Sequence, residues 1–224
     1  MLLLQRLLLQ MKVLQRSDMQ ITSLEKCGKG RYKVILDGAS APSFMLYASE
    51  LKALSLSEGT ELAVEKLDYM FKEVLVKRGL KRAAHLLEKK DYTEREIRSK
   101  LREGLYPDVS VDIIINRLAS YGFINDISYA VRYAECYIDK KSAGRISEDL
   151  KRKGIDRDII KGALEKIKAE HAGTDGYYDE SDKIKKLLEK RHYEPETADR
   201  KEKEKLRAFL LRRGFCFSDI KKFV

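Results

Sequence analysis

Apolar residues recur along this chain at helical spacing, and the runs end on glycine. Ile97 and Leu101 lie one turn apart within Thr93–Leu101, followed by Gly104 and an apolar run from Ile113 to Leu118. Ile146 and Leu150 are followed by Gly154 and a run from Ile159 to Leu164. Leu206 and Leu210 are followed by Gly214 and Ile220. Positions three and four apart share one helix face, so each passage predicts an amphipathic helix, a glycine stop and a second helix. The unit returns at steps of about 50 and 60 residues, the scale of a helical repeat stacked on its neighbours. Arrays of this kind present long binding faces, which favours a binding protein over an enzyme with one pocket.

Local signals sharpen the boundaries. Thr93 and Glu96 form a T-x-x-E capping box that starts a helix, and Gly104 is expected to stop it in a left-handed conformation. Pro107, Asp108 and Ser110 offer the next start, Gly122–Asp126 a stop and cap, Ser142 a further start, and Asp156 another. Between Ile127 and Lys140, Tyr129, Tyr133 and Tyr137 fall on one face and are read as packing between helices rather than as a stacking platform for bases. Earlier in the chain, Met19–Leu24 and Arg31–Leu36 alternate around a turn at Lys26–Gly30, which predicts a β-hairpin. Phe44–Tyr47 adds a third strand, and Glu50–Leu54 with Thr60–Val76 supply covering helices.

The fold class expected is mainly α: tandem three-helix repeats forming an elongated, curved array, with a small N-terminal β-hairpin or sheet. The boundaries expected are a leader at 1–18, a β-rich segment with its covering helix at 19–76, a first repeat at 77–126, a second at 127–168, a linker at 169–182 and a third repeat at 183–224. The leader Met1–Leu9 is leucine-rich but far shorter than the ~20 apolar residues that span a bilayer. No small-residue cleavage site follows it. It reads as a short helix packed on the body or as a start assigned too early, with Met11 the real beginning, and no membrane role is expected.

Charge changes the picture. Of 224 residues, 46 are Lys or Arg and 36 Asp or Glu, giving a net charge of +10. Residues 1–75 hold 10 of the basic and 9 of the acidic side chains, so the helical part carries nearly the whole positive field. Such a field draws phosphate backbones or an acidic protein face; simple solubility is the competing use. Three scattered cysteines, Cys27, Cys136 and Cys216, fit reduced thiols in a cytoplasm.

Catalytic chemistry finds no foothold. His85, His171 and His192 form no HExxH and no pair with cysteine. Gly28-Lys29-Gly30 is too short for a phosphate loop. Asp175, Asp179, Glu180 and Asp182 lack the calcium-loop pattern. No catalytic, metal or cofactor site is expected, and no enzyme.

Several passages resemble the RecX family, bacterial modulators of the recombinase RecA. They are Thr93–Leu101, then Tyr121-Gly122-Phe123-Ile124-Asn125-Asp126 with Tyr129-Ala130, and Ile146, Leu150 and Lys151-Arg152-Lys153-Gly154-Ile155-Asp156. The order of these motifs and the β-rich segment ahead of tandem three-helix units carry the resemblance from about Gln20 to Val224. It implies a monomeric cytoplasmic protein that binds RecA or its filament on single-stranded DNA and limits recombinase and coprotease activity, within the SOS response and DNA repair. It implies DNA, single- or double-stranded, as a further partner through the backbone. The chain departs from the family pattern in its leucine-rich leader and its break at Ala169–Asp182.

The candidate interface residues are the basic clusters Arg98, Arg102, Arg145, Lys151, Arg152, Lys153, Arg212 and Arg213. Cations at helix C-termini gain ~0.3–1 kcal/mol from the helix dipole alone, which competes with a binding role for each cluster. Their return at matching places in two units favours a basic stripe. Two other readings stay open: a stand-alone nucleic-acid module, because each helix–glycine–helix pair loosely resembles a helix-turn-helix, and a protein-only scaffold.

Overall fold

A computed structural model describes residues 18–40, 43–138, 140–171 and 180–224. The leader lies outside them up to residue 17, as does most of the expected linker. The described chain divides into two compact units, which meet in sequence at Ile124 and Asn125. It is mainly helical, with three-helix domains and one small sheet.

In the first unit, β1 (Asp18–Lys26), β2 (Arg31–Leu36), β3 (Phe44–Tyr47) and β4 (Glu61–Ala63) form an antiparallel sheet in the order β3-β2-β1-β4. Leu24 pairs with Val34 and Lys26 with Tyr32 across the hairpin. The helix expected over Thr60–Val76 starts later. Glu61–Ala63 instead lines the free edge of β1, with Met19 opposite Leu62, and buries Leu62 between two exposed neighbours. Three residues of alternation are too few to read as a strand, yet they satisfy an edge whose N–H and C=O groups need partners.

Helix α1 (Ala48–Ala53) follows β3. Next come α2 (Val64–Tyr69), a π-helical turn over Met70–Val74, and α3 (Leu75–Leu87), which run on without a break. Helices α4 (Glu94–Glu103) and α5 (Asp108–Ser120) complete the unit. The capping box forms as expected: Glu96 N–H donates to Thr93 Oγ1 (3.3 Å), and Thr93 N–H donates to Glu96 Oε2 (3.0 Å). Sheet and helices share one core, in which Phe44 meets Phe71 edge-on at 5.1 Å. Arg78 ties the layers together by donating to Tyr106 Oη (3.0 Å) and Met45 O (2.8 Å) and pairing with Glu50. The buried Ser110 hydroxyl donates to Phe71 O (2.6 Å), inside the π-helical turn.

The second unit holds α6 (Asp126–Tyr137), α7 (Ala143–Arg152) and α8 (Arg157–His171), then α9 (Glu180–Glu189), α10 (Arg200–Arg212) and the short α11 (Phe217–Ile220). Each triad has its own core. Ala134, Ile146, Leu150 and Ile160 belong to one; Ile184, Leu206, Leu210 and Phe215 belong to the other. The two triads are the second and third three-helix domains of the chain.

One helix stop recurs through both units. The N–H of Tyr106 donates to Leu101 O (3.2 Å), Phe123 to Leu118 (2.9 Å), Ile155 to Leu150 (3.2 Å), Tyr193 to Leu188 (3.2 Å) and Phe215 to Leu210 (3.3 Å). The residue before each apolar donor takes a positive φ, which completes a Schellman motif. Glycine fills that place at Gly122, Gly154 and Gly214. Gly104 does not: it sits at φ −85°, and the left-handed residue is Leu105 (φ +55°). A Cβ on Gly104 would approach the Tyr106 ring to 3.1 Å, so this glycine serves close packing instead. Near the start of the third domain the same place is held by His192 (φ +51°).

Candidate basic interface

Helix α7 turns Ile146 and Leu150 into the second domain's core, and this also buries Asp149 to 7% exposure. A buried carboxylate needs charged or hydrogen-bonding partners, and four side chains provide them. Lys141 Nζ donates to Oδ2 at 2.8 Å and Tyr133 Oη to the same oxygen at 3.1 Å. Arg152 donates to Oδ1, and Arg145 Nε lies 3.4 Å from it. Burial pushes the Asp149 carboxyl up, but the hydrogen bonds from Lys141, Arg152 and Tyr133 outweigh it and hold the group down at about 2. Lys141 also lies 4.0 Å above the Tyr137 ring. The tyrosine series is therefore packing, as expected, with Tyr133 adding a donor.

Beyond Lys141 the surface opens into a groove of about 690 Å3 within the second unit. Lys140, Lys141, Ser142 and Arg145 line it from the second domain. Lys183, Lys186, Leu187, Lys190, Arg212, Arg213 and Phe215 line it from the third. The spacing of Lys183 and Lys186 in α9, and of Lys190 just past its end, puts them on one side of the helix, while Ile184 and Leu188 on another side fill the core. No carboxylate is among the lining residues. Lys140, Lys186, Lys190, Arg212 and Arg213 make no ion pair among the described residues. Arg213 instead rests 4.6 Å from the Phe209 ring centre.

The two sides of the groove meet at a joint made largely of backbone. Ser142 Oγ donates to Arg213 O (2.5 Å) while accepting from Arg145 N–H (3.2 Å) as the N-cap of α7. A Cβ on Gly144 would stand 2.2 Å from Gly214 O, so only glycine admits this approach. Ala143 N–H donates to Glu180 Oε1 (2.9 Å), which places a negative charge at the start of α7. The Lys183 amine reaches the carbonyls of Ile138 and Lys141, the latter at 2.9 Å, at the end of α6.

The structure sorts the eight basic residues expected from sequence. Arg145, Arg212 and Arg213 line the groove. Arg98 and Arg102 stand in the first unit, on carboxylates. Arg98 bridges Glu94 Oε1 (2.7 Å) and Asp112 Oδ1 (2.5 Å), and Arg102 Nε donates to Asp108 Oδ1 (2.8 Å). Burial alone would lower the Arg98 guanidinium, but its bonds to Asp112 and Glu94 raise it. These two arginines brace α4 against α5. Lys151 pairs with Glu148 at 2.9 Å, Arg152 with Asp149, and Lys153 Nζ lies 5.4 Å from the Tyr129 ring. Lys140, Lys141, Lys183, Lys186 and Lys190 were not singled out from sequence. Lys183 and Lys186 of α9, with Lys190 just past its end, carried a readable signal, their three- and four-residue spacing; Lys140 and Lys141 carried none.

Known proteins share this architecture. A family model described as "RecX, first three-helix domain" matches residues 80–118, and one described as "RecX, third three-helix domain" matches residues 178–224. "Regulatory protein RecX" of Clostridium acetobutylicum is 30% identical over 202 residues, spanning 89% of this chain and 92% of that protein. Its counterpart in Caldanaerobacter subterraneus subsp. tengcongensis is 27% identical over 206 residues, spanning 91% and 98%. A crystal structure of regulatory protein RecX superposes with a TM-score of 0.57 at 28% identity, covering 91% of this chain and 97% of that one.

Proposed function

Since this chain belongs to the RecX family of regulatory proteins, we propose that it binds the RecA filament on single-stranded DNA and limits its recombinase and coprotease activities. The groove of the second unit is the contact surface. Binding energy and steric blocking suffice; the regulator transforms nothing. The observation that carries this reading is a groove lined by eight Lys and Arg side chains and no carboxylate. Exposed ion pairs contribute little singly, but several cations on one phosphate chain each release counterions, and these gains add.

The test follows RecA strand exchange and DNA-dependent ATP hydrolysis as the protein is titrated in. Wild type slows both at micromolar concentration. The triple variant Lys186→Glu, Lys190→Glu, Arg212→Glu needs at least about tenfold more protein, because lost phosphate contacts become repulsive ones. Arg102→Ala, which removes a brace on α4 and α5, stays close to wild type. An inert wild type that does not sediment with the filament rejects the proposal. A triple variant as potent as wild type points to a protein-only scaffold.

A further inference from the structure

We infer that the groove and the joint beside it work as one clamp: a phosphate chain laid in the groove draws the second and third three-helix domains together, and the grip is complete only while the joint is closed. This rests on the reading of the groove as the binding surface and adds a moving part to it.

Three observations lead there. First, neither domain makes the groove alone: Lys140 and Arg145 come from one, and Lys186, Lys190 and Arg212 from the other. Second, the domains have separate apolar cores, so little buried hydrocarbon fastens them. The ties identified are polar: the Ser142 hydroxyl on Arg213 O, the Glu180 carboxylate on Ala143 N–H and the Lys183 amine on two carbonyls, around the Gly144–Gly214 approach. Third, cations of one sign line both walls of the groove, and like charges held within the ~8 Å screening length of physiological salt repel. Their repulsion opposes closure when the groove is empty. A polyanion reverses that sign, and a ligand that favours one arrangement shifts the population toward it by its differential affinity.

The shape selects the ligand. A groove walled on two sides admits one extended chain more readily than a flat acidic protein face. Arg212 and Arg213 add planar forks that suit phosphate oxygens.

Hydrogen exchange and binding on the full chain test the clamp, with inorganic polyphosphate and a single-stranded oligonucleotide as separate probes and polyglutamate as the protein-like polyanion. Either phosphate chain should raise protection of the Ala143 and Arg145 amides several-fold. Log affinity should fall against log salt with a slope of about 3 to 4, given ~0.7 for each of five contacts. Gly144→Val keeps every cation but blocks the backbone approach and should weaken binding about tenfold. Ser142→Ala, which adds no bulk, should weaken it several-fold and decides the matter if the valine variant does not fold. Wild-type binding with no change in protection, together with variants that bind normally, overturns the clamp and leaves the interface standing. Failure of wild type to bind either phosphate chain overturns the interface as well. Equal affinity for polyglutamate overturns the choice of phosphate.

Discussion

Asp149 holds Lys141 and Arg145 in place at one end of the groove, and pairs with Arg152 as well. Its pKa is depressed in the fold, so its stabilising contribution is complete above the ordinary carboxylate value of 3.8 and is lost as pH falls through about 2. Asp149→Asn should therefore destabilise the second domain at neutral pH, by about 1 kcal/mol after allowance for solvent screening. That loss should shrink toward pH 2, and denaturation at pH 7 and pH 2.5 checks both statements. His192 poses the opposite problem, an exposed non-glycine residue at φ +51°. His192→Gly should stabilise the third domain by about 0.5–1 kcal/mol, the left-handed penalty less the extra entropy of unfolded glycine, read as a higher denaturation midpoint. Neither residue stood out in the sequence. Asp149 looks like any surface acid among lysines, because burial is a tertiary property. His192 hides a helix stop because the usual marker, glycine, is absent.

The elements that read most clearly were those whose signal repeats. Ile97 with Leu101 and Ile146 with Leu150 gave α4 and α7, and Thr93 with Glu96 gave the start of α4 to the residue. The failures came where a partner elsewhere decided the outcome. Glu61–Ala63 became a strand because β1 offered an edge, not through any preference within those three residues. The π-helical turn at Met70–Val74 left no trace in the apolar pattern, and its Phe71 carbonyl is met by the Ser110 hydroxyl from α5. Ser110→Ala removes that hydrogen bond in a buried place and should cost about 1–2 kcal/mol, measured by chemical denaturation. Ser110→Thr keeps the hydroxyl and, if its methyl fits, should recover part of the loss.

Across the whole molecule the three-helix logic was legible, because each domain writes the same amphipathic helix and the same stop. The groove was legible in part. Arg145, Arg212 and Arg213 emerged from charge near helix ends, whereas the meeting of α9 with the loop before α7 required folding. Separate units and separate cores also predict independence. Ser110→Ala should shift unfolding of the first unit and His192→Gly that of the second, and a double variant should show their sum within about 0.3–0.5 kcal/mol. The groove contains no histidine, its cations are lysine and arginine, and the acid that anchors one end stays ionised down to about pH 2. If the groove takes a phosphate chain as proposed, ionic strength rather than a proton is the physical dial that loosens the hold.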